Sequence, residues 1–312
     1  MKPFSCIILS LTLAFLGCAP ERNESTTRGH LHALIAESTA PAMVEQVHQF
    51  LSLHAAEGAD VTYEIVSSDE AIRRMMKDTV RFIVSTRPLT TEERKQASAV
   101  EGYELNQSII AYDGIVVVVN KANSIQQITV TEVQKILDGT FGRWEQLSSK
   151  GNVKGSIDVL YQDSSDVSMF AESRILHGHA VKKEARRTAS SLETLKLVGD
   201  QRAAIGLVGV LWIDSARVAA KVLKVAQSQQ PLDSLYRIPG EALGKFFSPH
   251  PANIYRTYYP LKRAIYVITL SPFGRLAAGL GGFMASPMGQ RMLLNRNIVP
   301  GTQRIRLTAP EE

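Results

Sequence analysis

Four short turns in this 312-residue chain place serine or threonine directly after an apolar run that is typical of a strand. The hydroxyl pairs are Ser38-Thr39, Ser67-Ser68, Ser85-Thr86 and Ser164-Ser165. Each pair precedes a helical pattern, and the start of a helix leaves free backbone N–H groups and a partial positive charge. Several such helix starts that point to one place would hold an oxyanion through hydrogen bonds. The pattern therefore indicates an anion site, although serine and threonine also cap ordinary helices.

Acidic residues accompany two of these turns. Glu37 precedes the first, and Asp163 and Asp166 flank the last. A carboxylate accepts a hydrogen bond from a protonated oxyanion but repels an unprotonated one. One interpretation is that Asp163 or Asp166 selects the protonation state of a bound anion. The other is that both are solvated acids at a helix start.

The elements that position these turns alternate along the chain. Apolar runs predict strands over 32–35, 61–66, 80–84, 109–120, 157–161, 204–212 and 265–270. Capping-box sequences at Ser67, Thr90, Thr129 and Ser190 predict helix starts, and a final helix is expected over 283–295. Strands that alternate with helices indicate an α/β fold with largely parallel sheets. In such sheets, ligands bind at the carboxyl ends of the strands.

The N-terminus is typical of an exported lipoprotein. Lys2 supplies a positive charge, and the apolar run from Ile8 to Leu16 is too short to span a bilayer and ends close to Cys18. We predict a signal peptide over 1–17, a lipidated Cys18 and a flexible polar tether over 18–29. A plain secretory signal with an incidental Cys18 is the other interpretation. Cys6 is the only other cysteine, so the processed chain is expected to contain no disulfide.

Composition and motifs exclude several classes of function. The chain has 35 Lys and Arg against 30 Asp and Glu, and this charge of +5 is too small and too dispersed to indicate a nucleic-acid partner. The sequence contains no G-x-S-x-G elbow, S-x-x-K pair or P-loop. The pair His177 and His179 lacks the carboxylate partners of a metal site. We expect a protein that is not an enzyme and needs no cofactor or metal, although a nucleophilic Ser164 is a rival hypothesis.

Several segments carry a resemblance to a known family. They are LIAESTAPAMVEQVHQF, FIVSTRPLTTEE, IAYDGIVVVVNKAN, ITVTEVQKILDGTFGRW, YQDSSDVS, AIGLVGV, YYPLKRAIYVI and MGQRMLLNRNIVP, which together extend over residues 31–301. The chain resembles the phosphate-binding protein of bacterial phosphate ABC importers, in the type II periplasmic substrate-binding protein superfamily. The block around IAYDGIVVVVNKAN is the most specific of these matches.

The resemblance implies a two-lobed fold, in which each lobe is a central mixed sheet flanked by helices. One lobe would comprise residues 30–113 plus 262–312, and the other residues 114–261. The strands near Gly114–Val119 and Ala264–Ile268 would cross between the lobes as hinges. A ligand that binds between the lobes would then favour their closure.

The resemblance also implies the ligand-binding residues. They are Ser38, Thr39, Ser67, Ser68, Ser85, Thr86, Arg87, Gln162, Ser164 and Ser165. The chain departs from the family pattern because Gln162 replaces an arginine, Asp166 replaces a turn glycine, and Ser67-Ser68 replaces a longer glycine-rich loop. Since arginine binds phosphate through charge-assisted hydrogen bonds, its loss is expected to weaken the binding of a dianion.

The function implied by the resemblance is transport. The protein would be a monomeric, membrane-anchored extracytoplasmic or periplasmic lipoprotein that captures phosphate, or another inorganic oxyanion, and delivers it to the permease of an ABC importer. The departures at Gln162 and Asp166 leave a second hypothesis open, in which a lipoprotein with a degenerate site acts as a sensor or scaffold.

Overall fold

The computed structural model describes residues 24–231 and 234–303. The predicted signal peptide over 1–17 and the predicted lipidation site at Cys18 lie outside the described residues. The last part of the predicted tether is described. It forms a turn in which the Ser25 N–H donates to the Arg28 carbonyl at 2.9 Å, and the first strand already begins at Gly29. The described end of the tether therefore belongs to the folded body, because Gly29 pairs with Ala59 in a parallel ladder.

Twelve strands and ten α-helices alternate through the described part of the chain. The strands are β1 (Gly29–Ala36), β2 (Ala59–Val66), β3 (Phe82–Ser85), β4 (Glu104–Asn120), β5 (Gln127–Thr129), β6 (Asp158–Gln162), β7 (Arg186–Thr188), β8 (Ala204–Gly209), β9 (Ala220–Val222), β10 (Lys224–Ala226), β11 (Lys262–Ser271) and β12 (Val299–Pro300). The helices are α1 (Ala40–His54), α2 (Ser68–Met76), α3 (Thr91–Ser98), α4 (Val130–Leu137), α5 (Asp166–Phe170), α6 (Ser191–Asp200), α7 (Ile213–Ala216), α8 (Pro251–Tyr255), α9 (Leu276–Ala285) and α10 (Pro287–Asn295).

The strand order shows how the chain builds two halves around one shared strand. The main path is β2-β1-β3-β11-β4-β8-β6-β7, with β9 and β12 also paired to β4. The first half of β4 pairs with β11, and its second half, from Ile115, pairs with β8. We call the half that contains β1, β2, β3 and β11 the first lobe, and the half that contains β6, β7 and β8 the second lobe. This mixed sheet flanked by helices confirms the predicted two-lobed α/β fold. The expectation of largely parallel sheets was wrong, because β4 and β11 pair antiparallel with their neighbours.

Local signals placed the helix starts correctly. Thr90 and Thr129 form complete capping boxes with Glu93 and Glu132. Ser67 and Ser190 accept from the N–H groups of the residues three positions later, as N-caps do. Thr39 stands at the N-cap position of α1, but its hydroxyl donates to the Ala36 carbonyl at 2.9 Å instead of capping the helix.

Two predicted elements are interrupted in the structure. The helix expected over 283–295 is in fact two helices, because Pro287 lacks an N–H and begins α10, while Ser286 caps it. The strand expected over 204–212 ends at Gly209 and continues as a short 3-10 helix. In both places apolar residues continue through the break, so periodicity alone did not reveal it.

Each lobe has a hydrophobic core of its own. Phe50 and Phe82 are buried in the first lobe, and Trp144 and Tyr161 are buried in the second. Among the described residues, no helix is both long enough and apolar enough to cross a membrane.

Candidate functional site: a buried anion position between the lobes

Three strand ends meet at one edge of the first lobe. β1 lies between β2 and β3, and it runs parallel to both. Their carboxyl ends therefore lie side by side, and the turns that follow them carry Ser38, Ser68 and Thr86. Ser38 and Ser68 are fully buried. This arrangement brings three of the predicted hydroxyl residues together.

A carboxylate from the second lobe lies against these three residues. Asp166 is the first residue of α5 and is 2% exposed. Its Oδ1 accepts from the Ser68 backbone N–H at 2.8 Å and from the Thr86 hydroxyl at 3.3 Å. Its Oδ2 accepts from the Ser38 hydroxyl at 3.2 Å. The three donors therefore bind the two carboxylate oxygens of Asp166, and we call the place of these two oxygens the anion position.

Ser68 and Thr86 also bind each other. The Thr86 N–H donates to the Ser68 hydroxyl oxygen at 2.9 Å, and the two hydroxyl oxygens lie 3.2 Å apart. Since the Thr86 hydroxyl donates its proton to Asp166, the Ser68 hydroxyl donates to Thr86. The hydroxyls are thereby fixed in orientation toward the anion position.

A buried ion pair holds the Ser38 hydroxyl in place. The Arg263 guanidinium donates to both Asp113 carboxylate oxygens, at 2.7 and 2.8 Å, and to the Ser38 hydroxyl oxygen at 2.9 Å. Asp113 is fully buried, and Arg263 is 1% exposed. Burial raises the pKa of Asp113, and the Arg263 charge opposes that rise. Burial lowers the pKa of Arg263, but Asp113 raises it further, so the net pKa is raised and the guanidinium stays charged.

Neither member of this pair was among the predicted ligand-binding residues. The signal for both was present in the segments that carry the family resemblance. Asp113 lies in IAYDGIVVVVNKAN, and Arg263 lies in YYPLKRAIYVI. β4 and β11 pair with Asp113 directly opposite Arg263, so the strand register forms the bidentate contact.

Glu37 adds a second contact between the lobes. Its carboxylate accepts from the N–H and the hydroxyl of Ser191, at 3.1 and 2.9 Å. The Ser191 hydroxyl also lies 3.4 Å from the Gln162 side-chain oxygen, and the Trp212 indole N–H donates to the Glu37 carbonyl at 3.1 Å. Burial raises the pKa of Glu37 above its ordinary value, although the Ser191 hydrogen bonds oppose the shift.

The raised pKa of Glu37 predicts a pH effect. The folded state holds the Glu37 proton more tightly than the unfolded state, so stability is lost as pH rises from about 4.5 through the folded pKa. Glu37→Gln keeps an oxygen acceptor for Ser191 but does not titrate. We expect urea unfolding at several pH values to show a smaller loss of stability between pH about 4.5 and 7 for this variant.

A matched control has the opposite sign. The N–H groups of Ser148 and Thr129 lower the pKa of Glu132 against the effect of burial, so its contribution to stability is present above pH about 4.5. Glu132→Gln should therefore lose stability at neutral pH and lose less at low pH. If the stabilities of the Glu37 and Glu132 variants change with pH in the same direction relative to the unaltered protein, the opposite pKa shifts assigned to the two residues are wrong.

The other predicted residues have local roles in the structure. The Ser85 hydroxyl donates to the Arg87 carbonyl at 2.7 Å, and Ser67 caps α2. Ser165 caps α5, while Ser164 is exposed with a left-handed backbone at φ 49°. Thr39 bonds within its own turn. None of these side chains donates a hydrogen bond to Asp166.

Arg87 is near the site, but its charge is already paired. It donates to Glu93 at 2.8 and 2.9 Å and to Asp69 at 2.6 Å. Burial lowers the pKa of Arg87, but the hydrogen bonds that it donates to both carboxylates raise it to a greater extent. Arg87 thus fastens its turn to α2 and α3 in the first lobe.

An open cavity borders the anion position. Its volume is about 470 Å³, and its lining includes Thr86, Arg87, Asp166, Tyr236 and Arg263. The Arg174 guanidinium, also in the lining, stacks 4.0 Å from the centre of the Tyr236 ring. The cavity lies between the lobes, since Thr86 and Asp166 come from opposite ones.

The residues of the rival metal and nucleophile hypotheses lie at exposed positions. His177 and His179 are exposed in a turn. Within residues 24–231 and 234–303, no cluster of three His, Cys, Asp or Glu side chains is arranged to hold a metal ion. Ser164 is exposed in a turn.

Comparison with known sequences supports the family resemblance. Protein SphX of Synechococcus elongatus is 25% identical over 218 residues, which are 67% of this chain and 59% of that protein. The phosphate-binding protein PstS of Borreliella burgdorferi is 25% identical over 168 residues, which are 53% of this chain and 54% of that protein. The chain thus matches little more than half the length of these relatives.

Solved structures share the fold at low sequence identity. A Clostridium perfringens protein crystallised with bound phosphate superposes with a TM-score of 0.69 at 19% identity, over 87% of this chain and 99% of that one. An ABC-type phosphate transport receptor from Vibrio cholerae gives a TM-score of 0.65 at 19% identity, over 87% and 100%. The model of the PBP superfamily domain matches residues 20–287. The resemblance inferred from the sequence is thereby confirmed, and the chain belongs to the PBP superfamily.

Proposed function

We propose that this protein is a solute-binding protein, not an enzyme, and that it captures inorganic phosphate between its two lobes. The observation that carries the proposal is the convergence of Ser38, Ser68 and Thr86 on one buried pair of oxygen atoms. All three donors are neutral and lie at strand ends, where α/β sheets bind anions. The names of the relatives, which include phosphate-binding proteins, support phosphate as the ligand.

The proposed lobes are residues 30–113 with 262–312, and residues 114–261. The exchange of partners along β4 supports this division, because pairing changes from β11 to β8 between Gly114 and Ile115. The segments Gly114–Val119 and Ala264–Ile268 are the proposed hinges. Closure would follow from contacts that the ligand makes better in the closed state than in the open one.

We further propose that a lipid on Cys18 anchors the protein on the extracytoplasmic side of a membrane, where it delivers its ligand to an ABC permease. The apolar run that ends near Cys18 supports this arrangement. Cys18→Ser is expected to abolish incorporation of radiolabelled palmitate and to move the protein from the membrane fraction to the soluble fraction. Unchanged incorporation and fractionation would contradict the anchor.

A thermal-shift titration tests the ligand. Phosphate, sulfate, molybdate, tungstate and phosphonates are each added to the full chain, and the melting temperature is followed. A ligand that binds only the folded state adds about 2.7 kcal/mol at one hundred times its dissociation constant. Phosphate is expected to raise the melting temperature more than the other anions do.

Potassium chloride at matched ionic strength is the control, because a chain of charge +5 also responds to salt alone. If phosphate shifts the melting temperature no more than chloride does, and calorimetry gives no heat with any of the oxyanions, the phosphate proposal is wrong. The second hypothesis, a sensor or scaffold lipoprotein, then becomes the better one. Asp166 is the observation that favours it, because its carboxylate already uses the converging donors.

A further inference from the structure

The carboxylate of Asp166 lies where an external oxyanion would be expected. It projects from α5 in the second lobe and is held by donors that follow β1, β2 and β3 in the first lobe. The contacts join residues that are 128, 98 and 80 positions apart. Asp166 therefore links the two lobes at the anion position.

While Asp166 is present, every proton that these donors can offer is already used in a hydrogen bond. A hydroxyl group donates one proton, and a backbone N–H donates one. The Ser38 and Thr86 hydroxyls and the Ser68 N–H each direct theirs to Asp166, and the Ser68 hydroxyl donates to Thr86. An oxyanion cannot use the same donors at the same time.

The start of α5 does not need the Asp166 carboxylate as a cap. Ser165 already caps the helix by accepting from the Ser168 N–H at 3.1 Å, and the Ser168 hydroxyl accepts from the Ser165 N–H at 2.8 Å. The described hydrogen bonds of the Asp166 side chain all go to the other lobe. Helix capping thus does not account for the position of this side chain.

We propose that Asp166 is a tethered anion, which occupies the oxyanion position and holds the lobes together when no ligand is bound. An external oxyanion binds only after the carboxylate leaves. This inference rests on the proposed function for its ligand, while the link between the lobes stands on the contacts alone. It makes Asp166 the residue that sets how much oxyanion is needed to load the site.

The cavity beside the site provides space into which the Asp166 carboxylate can move. Asp166 lines this space of about 470 Å³ together with Thr86 and Arg263. When Asp166 withdraws, the Arg263–Asp113 pair stays intact within the first half of β4 and β11 and continues to hold the Ser38 hydroxyl. The three donors then remain in place for the incoming anion.

Calorimetric titration of the full chain with inorganic phosphate tests the competition. Asp166→Ala removes the tethered carboxylate, and we expect it to bind phosphate at least tenfold more tightly than the unaltered protein. Asp166→Asn keeps the shape without the charge and is expected to bind more tightly than the unaltered protein as well, so the test survives if the alanine variant folds poorly. Asp163→Ala is the matched control, because Asp163 is an exposed acid of the same turn, paired with Arg187 at 3.1 Å.

A distance measurement tests the link between the lobes separately. Spin labels are attached at Glu92→Cys and Lys183→Cys, two exposed positions in opposite lobes, in a chain that also carries Cys6→Ser and Cys18→Ser. Without phosphate, Asp166→Ala is expected to show a longer or broader distance distribution than the chain with Asp166. Phosphate should return the variant to the shorter distance.

The outcomes separate the two proposals. If Asp166→Ala and Asp166→Asn bind phosphate no more tightly than the unaltered protein, although that protein binds it, then Asp166 is not a competing anion and the inference is overturned. The inference also falls if the distance distribution without phosphate is the same in both proteins. If the variant opens but neither protein binds any oxyanion, the link between the lobes is supported and the phosphate function is wrong.

Discussion

Replacement of Arg263 by leucine is expected to destabilise the protein by about 3–5 kcal/mol, because it leaves the Asp113 carboxylate buried without its partner. Asp113 is fully buried, and each of its carboxylate oxygens accepts a hydrogen bond from the guanidinium. The loss should be measured as the free energy of unfolding in urea at pH 7. It should shrink as the pH falls, because protonation removes the unpaired charge and the folded state holds that proton more tightly.

Arg296→Leu provides the matched control. Arg296 also pairs with a carboxylate, that of Glu45 at 2.8 Å, but the two side chains are 41% and 46% exposed. Such surface pairs contribute about 0–1 kcal/mol. Adding Asp113→Asn to the Arg263 variant should recover part of the loss, because the two residues interact directly. Similar losses for the Arg263 and Arg296 variants would show that the buried pair has no special role.

Gly209→Ala is expected to destabilise the protein by about 1–3 kcal/mol and to distort the anion position. A Cβ atom at Gly209 would lie 2.6 Å from the Ser38 carbonyl oxygen and 3.2 Å from Arg263 Nη2. The carbonyl belongs to the backbone, so the whole turn that carries Ser38 has to move. The free energy of unfolding and the affinity for phosphate are the two measurements, and both are expected to fall.

Gly240→Ala is the control for this prediction, since a Cβ atom there would have no neighbour within 4 Å. It begins the short 3-10 helix Gly240–Ala242, and it is not among the residues that line the site cavity. We expect little change in stability and none in phosphate affinity. If the Gly209 and Gly240 variants have the same free energy of unfolding and the same affinity for phosphate, the end of β8 does not support the Ser38 turn.

The charge balance of the site explains why Asp166 matters. The carboxylates of Glu37, Asp113 and Asp166 all interact with the buried Arg263 guanidinium, while Arg87 and Arg174 line the cavity beside them. Gln162, which stands where the related family has arginine, contributes an acceptor toward Ser191 and no charge. A phosphate dianion would meet this negative charge unless Asp166 withdraws. Under the proposed function, the departures from the family pattern would therefore act together on a bound dianion.

The fold was predictable because its signals are local or periodic. The capping boxes at Thr90 and Thr129 need only residues three positions apart, and β4 is apolar along the half that is covered on both faces. The family resemblance added the two-lobed arrangement, which local patterns could not supply. Predictions failed where local breaks lie inside apolar runs, at Pro287 and after Gly209.

The sequence by itself determined that strand ends would carry hydroxyls and helix starts, because these are properties of short segments. Only the tertiary structure decided that Ser38, Ser68 and Thr86 converge while Ser85 and Ser164 do not, and that Asp166 is the anion they hold. The physical reason is the length of chain that these contacts span, from 80 to 128 residues. Such contacts depend on strand order, on register and on the approach of the lobes, and the sequence of a single turn determines none of these.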